Sequence, residues 1–466
     1  PEHFVRPQII ELRGLRFAAN ELHDYSEALG LGALFQKPLL RLLHQFEEAK
    51  NCGSLIQPCL DESAITEARR AIEAKDPGDQ LFLRETHRKV LRVLEQAEAL
   101  TQRYHVVVAN PPYMGGRQMN PITKRFAEAS FPNSKADLFA MFIERGFTLV
   151  VPSGFTAFVT MQSWMFLSVF EDLRIKLLDE RTILTATQMG NMVMGIAFGT
   201  VATVWRSIAD PQFQGSFSWI ELKDLDENGI PKLFPLQNEK FKRASSLQFS
   251  SIPGSPIAYW ITDGVRAAFR EHKSVGAHFV VRGGMTTGDN LRFLRLWYEV
   301  ASDRIGFDLI SRDAARASKK RWFPYNKGGE FRKWFGNNSF VVNWARDGEE
   351  ILATGRASPR SKELYFKPSI SWTDVTSGEF GIRESPGGYL FDASGPSIFN
   401  DDPNLLRGLL GLLCSIVASR LLKLLNPSIH VQAGDISRLP WNPSLVSDPG
   451  IARIDEAVTF ARADWD

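Results

Sequence analysis

The sequence has few cysteines, almost no net charge and no long uninterrupted apolar run. Three cysteines in 466 residues, odd in number and scattered, argue against a disulfide framework. They also lack the paired spacing of a structural zinc site, so we expect no bound metal and a reducing, cytoplasmic environment. The longest apolar stretch, residues 405–425, is interrupted by three basic residues, which favours a buried helix and no contact with a membrane.

The charge balance excludes a molecule that is basic throughout. The chain has 55 Lys and Arg against 53 Asp and Glu, a formal net charge of +2. A nucleic-acid surface therefore requires local segregation of charge. The composition, 44% hydrophobic and 23% charged, is that of a globular protein, and the length allows two or three domains.

Patterning along the chain predicts a helical start followed by an α/β domain. A β-branched run at residues 105–109 ends at two prolines, as expected of a buried strand in a parallel sheet. Amphipathic helices and further apolar strands alternate after it, which is typical of α/β layers. The predicted divisions are a helical segment at 1–100, the α/β core at 101–209, a connector at 210–255, a second domain at 256–445 and a terminal helix at 446–466.

The tetrapeptide Asn110-Pro111-Pro112-Tyr113 follows the predicted strand, where open α/β sheets bind ligands. An amine conjugated to a ring is a poor nucleophile, because its lone pair is delocalised. The side-chain oxygen of Asn110 and the carbonyl of Pro111 could accept from its two N–H bonds and stabilise the developing positive charge. Tandem prolines fix the backbone, and Tyr113 offers a face for stacking. The structural alternative is a strand that stops at a Pro-Pro turn.

This motif resembles that of amino-methyltransferases acting on adenine. Residues 134–142, 162–165 and 198–203 also resemble the segments that follow it in large restriction–modification methyltransferases. The chain resembles the PglX family of BREX anti-phage systems, with type IIG enzymes as relatives. The resemblance implies part of a Rossmann-like class I methyltransferase domain and an α+β target-recognition domain. It further implies S-adenosylmethionine as methyl donor and double-stranded DNA and other defence proteins as partners.

The resemblance also assigns roles to particular residues. The target adenine is expected to leave the duplex, because its amino group cannot be reached within the stacked helix. The implied site residues are Asn110, Pro111, Pro112 and Tyr113 for catalysis, Phe198 for the base pocket, and Gly53, Ser54 and Leu55 for the cofactor.

A basic stretch in the second domain, residues 312–360, is interleaved with aromatic residues. That mixture suits a phosphate-binding face with stacking rings, although a solvated surface over a small aromatic core has the same composition. Segments 283–290, 325–334 and 426–429 resemble the family's target-recognition region. The predicted DNA-binding residues are Lys319, Lys320, Arg321, Lys327, Arg332 and Lys333.

One expected feature is not found in the sequence. Such methyltransferases bind their donor through an Asp-x-x-x-Gly-x-Gly loop before the catalytic motif, and residues 1–109 contain none. We therefore expect donor-binding sequence outside this chain, and little or no methylation by the chain alone. Two alternatives stay open. The chain could be a DNA-binding and partner-docking module of a defence complex, or a methyltransferase for protein glutamine or RNA guanine.

Overall fold

The computed structural model describes residues 7–233, 239–375, 379–426 and 429–465. Pro427 and Ser428, from a segment predicted to resemble the recognition region, lie outside the described residues. The chain divides into two compact units, Pro1–Leu247 and Gln248–Asp466.

The first unit combines a helical segment with a six-stranded sheet. Its helices are α1 (Glu21–Ala28), α2 (Lys37–Gln45), α3 (Ala49–Cys52), α4 (Glu62–Glu73), α5 (Leu81–Thr101), α6 (Pro121–Ser130), α7 (Leu138–Leu149) and α8 (Glu171–Glu180). Its strands are β1 (Tyr104–Ala109), β2 (Val150–Met161), β3 (Thr182–Met189), β4 (Thr200–Arg206), β5 (Gly215–Ile220) and β6 (Lys242–Ala244).

The sheet has the order β1-β2-β4-β3-β5-β6. β1 pairs parallel with β2, and β3 pairs parallel with β5, while β4 runs antiparallel between β2 and β3. With helices between its strands in sequence, the sheet confirms the predicted α/β class. The predicted connector at 210–255 needs correction, because it contributes β5 and β6 to this sheet. Phe217 and Ile220 of β5 are buried in this unit, which the polar, proline-containing sequence around them does not reveal.

The helical segment has its own apolar core. Tyr25, Phe46 and Val93 are fully buried in it, and Cys52 lies in the same cluster. Asp61 caps α4 by accepting a hydrogen bond from the backbone N–H of Ala64 at 2.8 Å. Amphipathic spacing therefore places these helices against one another and against the start of the sheet unit.

β1 lies at one end of the sheet, and its outer edge has no partner strand among the described residues. Tyr104, Val106 and Val108 are 41%, 55% and 73% exposed. Apolar side chains on an unpaired strand edge are unusual in a finished sheet, because such edges invite further pairing.

The second unit is built from helices and strands that pair antiparallel, except for Leu390–Phe391, which pairs parallel with Trp322–Asn326. Its helices are α9 (Ser246–Ser250, which begins just before the division), α10 (Asp263–Glu271), α11 (Asn290–Phe293), α12 (Arg312–Ala317), α13 (Ala345–Leu352), α14 (Pro403–Leu413), α15 (Ile416–Leu425), α16 (Ala433–Ser437) and α17 (Asp448–Trp465). Its strands are β7 (Val280–Arg282), β8 (Leu294–Leu296), β9 (Trp322–Asn326), β10 (Phe340–Asn343), β11 (Ser369–Trp372), β12 (Ile382–Ser385), β13 (Leu390–Phe391) and β14 (Ser397–Phe399).

These strands form two four-stranded sheets, ordered β13-β9-β10-β8 and β12-β11-β14-β7. Helices α14 and α15 pack with the second sheet in one core, and Phe323 and Trp344 belong to the core of the first. The architecture is the predicted α+β arrangement. Within the described residues, no single helix is long and apolar enough to cross a membrane. Only α14 and α15 taken together reach that length, and they meet at 76°.

Candidate functional site

The end of β1 leads directly into the Asn-Pro-Pro-Tyr corner. The side chain of Asn110 is exposed, and Pro111 is buried. In the part of the chain that the structure describes, neither the Asn110 amide nor the Pro111 carbonyl has an internal hydrogen-bond partner. Both oxygens thus remain available to accept hydrogen bonds from a bound amine.

Tyr113 lies between two phenylalanines. Its ring meets the ring of Phe139 at 6.1 Å and 89°, and that of Phe198 at 5.9 Å and 61°. Its hydroxyl donates to the carbonyl of Val159 at 3.3 Å, and burial raises the pKa of Tyr113. The structure therefore brings the predicted base-pocket residue Phe198 beside the predicted stacking residue. T-shaped contacts with these two phenylalanine rings hold the tyrosine ring in place.

Asp137 anchors this corner, a role that the sequence did not indicate. Its carboxylate accepts from the backbone N–H of Met114 at 2.9 Å and of Phe139 at 3.3 Å. The backbone of Leu138 donates in turn to the Met114 carbonyl at 3.1 Å. Asp137 thus caps α7 and ties it to the residue after Tyr113. An aspartate directly before an apolar helix is a readable capping signal, but its second partner is 23 residues away.

The predicted cofactor segment, Gly53 to Leu55, forms a short 3-10 turn. Leu55 is buried in a cluster with Phe131 and Met141, against which Met114 also packs. The Ser54 carbonyl accepts from the Arg145 guanidinium at 2.9 Å, and burial lowers the pKa of Arg145 to about 10. These contacts hold the turn in the cluster against which Met114, the residue after Tyr113, packs. A contact of this turn with a cofactor stays a prediction.

The first three predicted DNA-binding residues follow α12. Lys319 is exposed and has no ion-pair partner among the described residues. The Lys320 ammonium contacts the carbonyl of Asp303, and Arg321 pairs with Glu350 at 3.1 Å. Their positive charge is therefore partly balanced within the unit.

The other three have internal partners. Lys327 pairs at 2.9 Å with Asp392, whose side chain is 4% exposed. Arg332 pairs with Asp464 at 2.6 Å, and Lys333 approaches Glu379 at 4.0 Å. Lys327 consequently has a structural role, whereas Arg332 and Lys333 lie in exposed pairs that contribute little to stability. Contacts of any of the six with DNA stay predictions.

Comparison with known proteins gives this corner a family context. The family model "Eco57I restriction-modification methylase" matches residues 32–193, which include the whole corner except Phe198. The chain is 36% identical over 435 residues to the adenine-specific methyltransferase BrxX of Escherichia coli O9:H4 (strain HS), covering 92% of this chain and 35% of that protein. Over nearly its whole length, the chain is therefore similar in sequence to part of BrxX. It is likewise 33% identical over 467 residues to the adenine-specific methyltransferase PglX of Lacticaseibacillus casei (strain Zhang), covering 96% of this chain and 38% of that protein.

These two relatives confirm the predicted resemblance to the PglX family. The chain spans little more than a third of the length of either. Among solved structures, the DNA complex of the type IIL restriction-modification enzyme MmeI is similar with a TM-score of 0.44 and 14% identity, over 94% of this chain and 71% of that one. The DNA-bound type ISP enzyme LlaBIII is similar with a TM-score of 0.46 and 14% identity, over 84% and 31%.

Proposed function

We propose that this chain carries the base-binding side of a site-specific DNA adenine-N6 methyltransferase that uses S-adenosylmethionine. The observation that carries the proposal is the pair of unengaged acceptors, Asn110 and Pro111, beside the ring of Tyr113. Both relatives are adenine-specific methyltransferases, which agrees with the proposal. We further propose a cytoplasmic role in anti-phage defence with other proteins, as the family resemblance implies.

In this proposal the corner acts on a base that has left the duplex. The ring of Tyr113 stacks on the base, and Phe198 walls the pocket. The Asn110 and Pro111 oxygens accept from the two N–H bonds of the amino group, which favours a tetrahedral nitrogen and stabilises its developing positive charge. S-adenosylmethionine, when bound, supplies the methyl group. Gly53, Ser54 and Leu55 stay the residues that we propose for cofactor contact within this chain, beside their internal contacts with the Met141 cluster and Arg145.

We propose that the exposed edge of β1 adjoins the donor side. A strand added there would extend the sheet on the side of the Asn110 corner, and an element packed on its face would cover Val106 and Val108, which project from the same face of β1. Such a strand would come from sequence outside these 466 residues. On this proposal the chain alone binds DNA and transfers methyl groups slowly or not at all.

The proposal is tested by offering tritiated S-adenosylmethionine with DNA, RNA or protein to the protein expressed from its native gene. Digestion and chromatography then identify the labelled group. Label in N6-methyladenine of DNA supports the proposal. Label in glutamine or guanine, with none in adenine, overturns it. Repeating the reaction with the isolated chain tests the donor-side proposal separately, and rapid transfer by the chain alone would contradict it.

A further inference from the structure

We propose that Gln162 contacts a ring nitrogen of the target base, and that Gln188 orients the Gln162 amide for this contact. The inference rests on the proposed function, because it adds a base-contacting residue to the same corner. No role was assigned to either glutamine from the sequence.

Gln162 lies at the mouth of the base pocket. It follows β2 directly, at the same end of the sheet as the Asn110 corner. Its backbone N–H donates to the Gly199 carbonyl at 3.1 Å. Its side-chain amide packs so closely on Gly199 that a Cβ added there would lie 2.1 Å from Nε2. Phe198, which contacts the Tyr113 ring, is the adjacent residue, so the amide borders the aromatic wall of the pocket.

The orientation of this amide is fixed by a buried neighbour. The Nε2 group of Gln188 donates to Oε1 of Gln162 at 2.5 Å. Gln188, near the end of β3, is only 2% exposed, so it has little freedom to move. With its oxygen turned towards Gln188, Gln162 directs its amide N–H groups away from Gln188, where they can donate to a ligand.

A donor at this position is complementary to adenine. Apart from the amino group that reacts, the Watson–Crick, major-groove and minor-groove edges of adenine each present a ring-nitrogen acceptor. Gln162 Nε2 has no hydrogen-bond partner among the described residues, and a half-buried donor gains from finding one. The amide would then fix the base in the pocket while Asn110 and Pro111 engage the amino group.

A purely structural alternative predicts a different result. The two glutamines could serve only to join the ends of β2 and β3, without touching the base. Replacing Gln162 would then lower activity equally for every adenine analogue. A base contact instead predicts that wild type methylates an analogue lacking one particular ring nitrogen more slowly than adenine. This difference in rate should disappear when the Gln162 amide is removed.

The experiment uses the natively expressed protein, with its methylation site first mapped on genomic DNA. Duplexes carry adenine, 1-deazaadenine, 3-deazaadenine or 7-deazaadenine at the target position, and tritiated methyl transfer is measured for wild type and Gln162→Met. We expect wild type to methylate one analogue about tenfold more slowly than adenine, as loss of one hydrogen bond implies. For Gln162→Met, adenine and that analogue should be methylated at equal rates.

Two further measurements keep the outcome decisive. Gln188→Met should weaken the same discrimination in part while leaving Gln162 in place, and thermal unfolding confirms that both variants fold. If wild type discriminates against no analogue, or if Gln162→Met retains the full discrimination, the inference is overturned while methylation of adenine still upholds the proposed function. If wild type methylates no adenine at all, the proposed function fails, and the inference fails with it.

Discussion

Asp137 positions the corner from outside the reacting groups. Its carboxylate accepts the N–H of Met114, the residue after Tyr113, and caps α7. Burial raises the pKa of Asp137 above its ordinary value of 3.8. Because the folded pKa exceeds the unfolded one, its favourable contribution to stability is present below the unfolded pKa. That contribution is lost as the pH rises through the folded pKa.

Two substitutions of Asp137 should distinguish the effect of its charge on stability from the effect of its acceptor oxygen. Asp137→Asn keeps an oxygen for the Met114 N–H and should make stability less dependent on pH above the ordinary pKa of an aspartate, where the raised pKa of Asp137 otherwise reduces stability as the pH rises. Asp137→Ala leaves buried N–H groups unpaired and should lower the free energy of unfolding by about 1–3 kcal/mol. Urea unfolding at several pH values measures both effects. Equal destabilisation by Asn and Ala at neutral pH would contradict the assignment.

Gly199 is the residue on which the Gln162 amide rests. Gly199→Ala would place a methyl group 2.1 Å from Gln162 Nε2, so the amide must move away from Gln188. We expect methyl transfer to fall about tenfold, the cost of one misplaced hydrogen bond. Gly190→Ala is the matched control, because the nearest atom to its added Cβ is 3.6 Å away. Unchanged transfer by the Gly199 variant would show that this amide position is not required.

At the scale of elements, β1 lies at the end of the sheet and exposes Val106 and Val108. Val106→Lys combined with Val108→Lys should impair the natively expressed protein, because each buried valine contributes about 1.5–3 kcal/mol where a packed element covers it. We expect methyl transfer to fall at least about tenfold. The control pair Leu222→Lys and Ile230→Lys changes equally exposed apolar residues of the same unit. Full transfer and full thermal stability of the β1 variant would mean that nothing packs on this edge.

Secondary-structure elements can be predicted where the local sequence pattern determines them. They cannot be predicted where a side chain distant in sequence determines the local structure. The strand at 105–109 and its parallel pairing are confirmed, because β-branched residues and two prolines define the strand locally. The prediction that it is buried is wrong, since Val106 and Val108 are 55% and 73% exposed on a strand at the end of the sheet. Residues 163–178 have apolar spacing that is typical of a single helix, but they form two 3-10 turns followed by α8. The buried Arg174 donates to the carbonyls of Trp164 and Leu167 at 2.8 and 2.7 Å and stabilises those turns. Periodicity cannot show such a contact.

At the scale of the whole molecule, the basic residues of the second unit fall into two kinds. Lys319→Gln removes an exposed charge and should weaken DNA binding and reduce the salt slope by about one, with no change in stability. Lys327→Gln leaves the buried Asp392 without its cation and should lower stability by about 2 kcal/mol. Binding titrations at several salt concentrations, together with urea unfolding, distinguish these outcomes. A loss of stability in the Lys319 variant would contradict the assignment.

The candidate site was predictable to the extent that it is contiguous in sequence. Asn110 to Tyr113 could be recognised because four adjacent residues carry the chemistry, and Phe198 followed from a family segment. Asp137 and Gln162 stood in segments that were already noted, but their roles depend on contacts 23 and 26 residues away. The six basic residues cluster in the sequence, but the ion pairs of Arg321, Lys327, Arg332 and Lys333 arise only from folding.

The most direct test of the account is the amount of N6-methyladenine formed in DNA by the natively expressed protein with Asn110→Ala. Nucleosides from DNA of a host without other adenine methylation are quantified by mass spectrometry. We expect methylation by wild type and by the control Asn228→Ala, an exposed asparagine in the same unit. For Asn110→Ala we expect at least about a hundredfold less, the usual loss on removing one stabilising group from a reacting centre. Undiminished N6-methyladenine in that variant would contradict the central claim.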